Sequence, residues 1–588
     1  MRRPTALVAL LLALALTVAL AGCAGMPTSG PVVETESDEL APSGQGAPFI
    51  VPLPPREGAS RPEIVRGFIN AMQAWPSQTA TAEEYLTTDA ASAWHPQNAT
   101  ITYATPPSPR EDGGDIAVAL PDANHLDGRG AWQGKLPLRQ RDITFPMAYE
   151  NGQWRIDAAP NALIVPENWF ADRYRQVSLY FFDPTASILA PEPVFVPRGD
   201  QLATTLAESL LMGPGPGLEQ VEQSFIPPGL EVAVGVTVSD DGVADILLTG
   251  DPGQLSPGTV DLMMVQFAWT LRQEPQIEAI QLSIGGQPVP LPGGVATYPV
   301  DTGLEYDPAG FQATPLLHGL SRGRVVAGTA PLLTPVDGPL GRRGYHLRSV
   351  GVNLAGSVAA GVTDSGTAVL RGPIGEDGRV RTVATGDDLL RPGWDFFDRT
   401  WLVDNARDGA QVSYVDARTH EQRRVRVPGI TGEDVRTFLV SRDGTRLLAV
   451  VRRPVRDVIM VSRIQHDANG RVVGAVDAER IDLGDVSGLP ILDLVWRSSS
   501  TLAVLNPLTT TQSEVTSASV NGAPISPDLA STAIDGRLDA LAGSPVDSDD
   551  EPIYGVIAGR KGGLIDIGSA DRRPIPFEEP TTAVVYVG

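Results

Sequence analysis

Apolar residues recur along this chain with three different spacings, and each predicts a different kind of segment. Residues 6–21 form an apolar run of 16 residues broken only by Thr17 and preceded by Arg2 and Arg3. A membrane-spanning helix needs about 20 apolar residues, so the run predicts the core of a secretory signal peptide instead. Between Ala24 and Pro55 apolar positions thin out among Pro, Ser, Gly and the cluster Glu34, Glu36, Asp38 and Glu39, which predicts a tether. As a flexible coil of about 32 residues it reaches roughly 30 Å. Helical spacing begins after Arg61-Pro62-Glu63, where Ile64, Val65, Phe68, Ile69 and Met72 share one face before Pro76. A second helix is expected over residues 82–94, stopped by His95-Pro96. Strand-like stretches follow at 99–103, 115–120, 134–138, 142–149 and 153–156, the last two joined by Asn151-Gly152, a hairpin signal. Two helices followed by antiparallel strands predict a small α+β domain.

A second unit opens with the apolar string Val177-Ser178-Leu179-Tyr180-Phe181-Phe182. Asp200 is placed to cap a helix bearing Leu202, Leu206 and Leu210, which Gly213-Pro214-Gly215-Pro216-Gly217 ends. Val232, Val234, Val236 and Val238 alternate as in a strand, and Asp240-Asp241-Gly242 turns the chain back through residues 243–248. Ser256-Pro257 starts another helix, with Val260, Met263, Met264, Phe267 and Leu271 on one side, and Ile280, Leu282 and Ile284 form the next strand. The strings YFFD, LLMGP, SFIPPG, AWTL and IQLSIGGQPV in this order resemble the GerMN domain over residues 175–289.

From about residue 302 to Gly588 the texture changes to short strands and small turns. Hairpin-like units centre near Asp364-Ser365-Gly366, Asp398-Arg399, Asp443-Gly444, Ser498-Ser499 and Asp549-Asp550, with separations that bracket a propeller blade of about 40–50 residues. The segment Phe438 to Gly444, followed by Arg446 to Val451, resembles the first two strands of a TolB-type blade. Arg391-Pro392-Gly393-Trp394-Asp395 and Leu494-Val495-Trp496 open two more. Radial closure protects sheet edges, so a β-propeller is expected, with six blades preferred and the strand 583–587 completing the first. A large sandwich is the alternative.

Composition sharpens this reading. The 61 Gly and 52 Pro together make about 19% of the 588 residues, against roughly 12% in an average protein, which favours turns and strands over long helices. Seventy acidic against 45 basic residues give a net charge of −25. A polyphosphate backbone repels such a surface, so no nucleic-acid partner is expected.

One stretch of the sequence carries specific chemistry. Leu20-Ala21-Gly22-Cys23 resembles the bacterial lipobox, with small residues where signal peptidase II cuts and a cysteine immediately after. The Cys23 thiol takes the diacylglyceryl group and its freed amine is then acylated. Cys23 is the only cysteine, which excludes a disulfide framework and a Cys-ligated zinc site. Two or more acyl chains suffice for stable anchoring. The other strings carry bland readings. Gly319-Leu320-Ser321-Arg322-Gly323 fits G-x-S-x-G, but a strand, not the helix of a nucleophile elbow, is expected after it. His95, His125, His318, His346, His420 and His466 stand far apart, without a local zinc motif. Asp547, Asp549, Asp550 and Glu551 lack the spacing of a calcium loop and read as a solvated turn. Met263, Met264 and Phe267 read as core, and Trp94 with His95 as a helix end. No catalytic residue, metal site or cofactor is expected.

Lipobox, tether, α+β domain, GerMN unit and propeller, in that order, resemble the actinobacterial LpqB lipoprotein family over essentially the whole mature chain. The expected layout is a signal peptide at 1–22, lipidated cysteine and tether at 23–57, an α+β domain at 58–174, GerMN at 175–292 and an all-β propeller at 300–588. The resemblance implies a non-enzymatic accessory, held by its lipid on the extracytoplasmic face of the cell membrane. It further implies binding to the extracellular domain of the sensor kinase MtrB of an MtrA–MtrB two-component system, linked to cell-wall and division control. An envelope-glycan or peptidoglycan-binding lipoprotein is the alternative reading, and a propeller hydrolase, with carboxylates converging from distant strands, is a third.

Overall fold

Ser60 starts the first helix. Its backbone N–H and its Oγ both donate to Glu63 Oε2, at 2.8 and 2.6 Å, and Pro62 sits in the first turn. The helix Arg61–Ala71 buries Ile64, Val65, Phe68 and Ile69. The computed structural model describes residues 50–588 apart from 77, 200, 376, 484–488, 526–530, 547–550 and 560–561. The signal sequence, Cys23, most of the tether, the Asp200 cap and Asp547, Asp549 and Asp550 therefore lie outside the described residues.

The single helix expected over 82–94 is two short ones, Ala80–Glu83 and Thr88–Ala93. The chain between them is claimed by a strand: Ile156 N–H donates to Tyr85 O at 2.9 Å and Thr87 N–H to Ile156 O at 2.9 Å. Thr87 Oγ1 then caps the second helix by accepting from Ala90 N–H. The strands of this domain form three small sheets rather than one. Ala99–Tyr103 pairs antiparallel with Asn124–Asp127 on one side and parallel with Leu163–Pro166 on the other. The single strand expected at 142–149 is split by Pro146 into Asp142–Phe145 and Met147–Glu150, each in a different sheet. Asn151 and Gly152, with φ of 50° and 81°, form the hairpin turn.

In the second unit Tyr174–Phe182 pairs with Leu189–Pro197 as a long antiparallel ribbon. The helix Leu202–Leu211 follows, and its proline–glycine stop is as expected, with Gly213 and Gly217 at positive φ. The expected strand 232–238 is interrupted. Glu231–Val232 and Thr237–Val238 pair with Val243–Thr249 and Ala233 N–H donates to Leu247 O at 2.8 Å, but the ladder breaks after it, because Val236 N–H donates to Thr204 Oγ1 at 2.9 Å and Val234 turns out to solvent. Ser256 caps the helix Pro257–Leu271, on which Met263, Met264 and Phe267 are fully buried. That helix crosses from Val243–Thr249 to the parallel strand Ala279–Ile284.

Beyond residue 316 the described residues form six successive antiparallel sheets. The turns expected at residues 364–366, 398–399, 443–444 and 498–499 each fall between consecutive strands of one sheet. Thr582–Val585 leaves the end of the chain to pair with Leu317–Ser321, which belongs to the first sheet. First and last segments are thus stitched together, and the region is the propeller-like all-β body that the strand texture implied.

Candidate functional site

The residues singled out from the sequence do not converge. Ser321 ends the strand Leu317–Ser321 and is followed by a turn and another strand, so no nucleophile elbow forms; its Oγ faces Glu579 Oε2 at 3.4 Å. Trp94 is core, with its Nε1–H donating to Pro160 O at 2.8 Å, while His95 is exposed. Among the described residues no three of His, Cys, Asp or Glu cluster as metal ligands.

What the structure does bring together is a set of charged residues at the junction of the domains, which strand periodicity alone cannot reveal. Glu192, on the ribbon strand Leu189–Pro197, and Glu222, after the first GerMN helix, both meet the propeller strands Arg446–Val451 and Val458–His466. Arg446 donates through Nη2 to Glu192 Oε1 and to Pro191 O, both at 2.6 Å. Arg463 pairs with Glu192 and Glu222 together. The Arg446 side chain is 2% exposed and that of Glu222 is 0% exposed. Burial pushes the Glu192 carboxyl up, but the charges of Arg463 and Arg446 outweigh it and hold the group below the usual carboxylate range. At Glu222 burial and then the Glu192 charge push the carboxyl well above that range. One acid of the pair stays ionised, and the other is driven toward its neutral form.

A second buried network lies beside this seam. Arg399 Nε donates to Asp395 Oδ2 at 2.6 Å, and Trp401 Nε1–H donates to the same oxygen at 2.6 Å. Arg399 Nη2 lies 3.0 Å from His466 Nε2. A guanidinium only donates, so Nε2 must accept and the proton sits on Nδ1. Burial, and then the Arg399 charge, lower His466 to about 3. His466 N–H also donates to Gln220 O at 2.7 Å, joining the propeller to the GerMN unit through the backbone. The Asp–Arg–His order has the look of a relay, but its side chains are buried and hold structure together.

Arg442 fills the axis of the propeller. Its guanidinium donates to Ala309 O at 2.8 Å, Val587 O at 2.7 Å and Ser544 Oγ at 3.1 Å. Only about 40 Å³ remains around it, lined by inner strands of all six sheets. Larger clefts lie where the domains meet. One, of about 640 Å³, is bounded by Trp132, Phe170, Tyr174, Arg175, Arg198 and Arg272 together with Ser498 to Thr501 of the propeller. A neighbour of about 890 Å³ shares Trp132, Glu167, Pro524 and Ile525 with it.

The N-terminal domain closes the triangle. Phe195 N–H donates to Gly130 O at 2.8 Å, pairing the loop 127–131 with the GerMN ribbon. Ala523 of the propeller packs into the N-terminal core, as does Phe195.

The fold thus defines a class: a GerMN module held between a small α+β domain and a propeller-like all-β body. Family comparison matches the three parts separately. Residues 54–171 match the LpqB lipoprotein N-terminal domain, 178–290 the sporulation and spore germination (GerMN) domain, and 323–555 the LpqB lipoprotein β-propeller domain. The chain is 26% identical to lipoprotein LpqB of Thermobifida fusca, over 83% of this chain and 86% of that one. It is equally 26% identical to lipoprotein LpqB of Mycobacterium bovis BCG, over 97% of this chain and 96% of that one. A solved structure of a putative TolB from Agrobacterium tumefaciens is similar at 14% identity and a TM-score of 0.28, covering 38% of this chain and 86% of that one. Along most of its length the chain is thus similar to the LpqB lipoproteins. No helix among the described residues is long and apolar enough to cross a membrane.

Proposed function

We propose that this protein is exported, cut before Cys23, lipidated there, and held on the extracytoplasmic face of the cell membrane as a non-enzymatic accessory of a sensor kinase of the MtrA–MtrB type. Similarity to the LpqB lipoproteins carries this reading, and two features support it. The lipobox-like Leu20-Ala21-Gly22-Cys23 supplies the only cysteine, and the segment to residue 57 supplies the tether. The three interlocked domains offer a preformed surface on which a partner docks without first ordering it, which lowers the cost of binding. In this reading the extracellular domain of the kinase is the partner, and signalling to cell-wall and division functions is the output.

Two measurements test it. Cys23→Ser moves the protein from the detergent phase to the aqueous phase, and continued partitioning into detergent counts against lipidation. Titration of the detergent-solubilised protein against the kinase's extracellular domain gives saturable binding at low and at moderate salt; no binding at high micromolar concentration removes the kinase as partner.

A further inference from the structure

We propose that the cleft between the GerMN ribbon, the helix Glu167–Arg173 and the propeller loop at Ser498 to Ser500 binds a carboxylate-bearing saccharide. In a chain of net charge −25, three arginines of the GerMN unit line this one cleft: Arg175, Arg198 and Arg272. Arg175 shares its charge with Glu274 at 3.6 Å, whereas Arg198 and Arg272 have no ion pair among the described residues. The Arg175 Nε is buried and has no hydrogen-bond partner. An orphaned buried donor is costly, and an incoming anion supplies the acceptor it lacks. Burial, and the charge of neighbouring Arg198, both work against the charged form of Arg175 despite Glu274. A bound anion relieves that crowding.

The rest of the lining selects what carries the anion. Tyr174 and Trp132 present half-buried aromatic rings. The apolar face of a pyranose stacks on such rings while its polar rim stays hydrogen-bonded. Ser499 and Ser500 line the opposite wall from the propeller and offer hydroxyls. The volume of about 640 Å³ falls within the range of about 300–1,000 Å³ usual for ligand sites. Past Trp132 the neighbouring cleft continues with Lys135, Arg456 and Arg480 beside Glu167 and Asp482, so cations outnumber carboxylates along the path. A saccharide whose attached side arm carries carboxylates matches this combination of charge and ring better than an acidic peptide alone does, because a peptide has no use for the stacked rings.

The site does not depend on the kinase reading; only the choice of a wall-derived probe depends on export. The test is a titration of the detergent-solubilised full-length protein, read by tryptophan fluorescence. The probe is the disaccharide–tetrapeptide released from peptidoglycan by a muramidase. Uncharged chitotetraose, poly-L-glutamate and inorganic phosphate are run beside it. The expected result is saturable binding of the disaccharide–tetrapeptide, weakened at least tenfold in Arg198→Gln/Arg272→Gln and in 0.5 M salt, with chitotetraose at least tenfold weaker. Arg198→Lys/Arg272→Lys retains binding, which separates lost charge from lost fold. No binding at millimolar probe, equal binding of chitotetraose, or unchanged binding by the glutamine variant overturns the proposal. Tighter binding of poly-L-glutamate reassigns the cleft to an acidic polypeptide, and tighter binding of phosphate alone reduces it to a simple anion site; either result also overturns it. The same variants titrated against the kinase domain keep the two readings apart, because loss of saccharide binding with kinase binding intact leaves the latter standing.

Discussion

At the scale of single residues, the seam separates two glutamates of similar burial into opposite roles. Glu192 accepts from Arg446 and pairs with Arg463, and its carboxyl is held low. Removing one partner of a buried ion pair costs about 3–5 kcal/mol, because the remaining charge is left uncompensated. Glu192→Gln is therefore expected to destabilise the protein by that order. Glu222, whose carboxyl is raised, lacks a partner for its Oε2. A raised acid contributes stability below its unfolded pKa and loses it as the pH rises toward the folded value. Glu222→Gln, which imitates the protonated acid, is then neutral or stabilising at pH 7. Urea denaturation of the two variants checks this, and equal losses would show that the glutamates share the charge evenly. The buried histidines have the opposite dependence. Burial lowers His318 to about 4, and His466 is held at about 3. From 6.5 down to those values the unfolded chain binds protons that the folded one refuses. Stability is complete above about pH 6.5 and falls, as acid is added, by about 1.4 kcal/mol per pH unit for each histidine. His466→Gln, whose amide oxygen can take the Arg399 hydrogen bond, flattens the slope between pH 6 and 4 by one such contribution. An unchanged slope would mean that His466 is protonated in the folded protein.

At the scale of elements, the sequence pattern is legible where one face of a segment decides its structure. Ile64, Val65, Phe68 and Ile69 place the first helix, and the Ser256 cap with a buried apolar run places the helix Pro257–Leu271. The pattern misleads where a distant partner takes the backbone. Residues 84–87 have helical neighbours, yet Ile156 captures them, and alternating valines at 232–238 are interrupted where Thr204 accepts from Val236. The strand Leu189–Pro197, with three prolines in it, is not expected from periodicity at all; it exists because Tyr174–Phe182 supplies a partner along its whole length. The same strand depends on a glycine across the domain junction. Gly130 has φ of 83°, and a Cβ there would stand 2.2 Å from Phe195 O. Gly130→Ala is expected to cost at least about 2 kcal/mol through backbone strain and overpacking. Gly152→Ala, at φ of 81° but in open space, measures the strain alone. The difference between their melting temperatures reports the junction, and no difference would mean that the two domains separate freely there.

At the scale of the molecule, the domain order is readable in the sequence because each domain has its own texture, but the way the domains hold one another is not. Arg442 and Arg446 flank Asp443-Gly444 in a segment whose turn identifies a blade; nothing in that segment says that one arginine fills the propeller axis and the other reaches Glu192. Both roles depend on residues more than a hundred positions away. Domains within a chain ordinarily move against each other unless their interface is large and apolar. Here each of the three pairs is tied by a specific contact: Gly130 to Phe195, Glu192 and Glu222 to Arg446 and Arg463, and Ala523 into the N-terminal core. A triangle of contacts is stiffer than any of its sides, so the native protein is expected to unfold over one cooperative range in calorimetry. Arg446→Met/Arg463→Met cuts one side while the pairing of Thr582–Val585 with Leu317–Ser321 keeps the propeller closed. Two charges leave the propeller side and two glutamates stay without partners, so the GerMN unit loses its hold and melts at lower temperature than the propeller. The variant should show two resolved transitions and faster protease cleavage between residues 300 and 316. A single transition in the variant would place the coupling in the other two sides of the triangle, and Gly130→Ala in the same background would then split it.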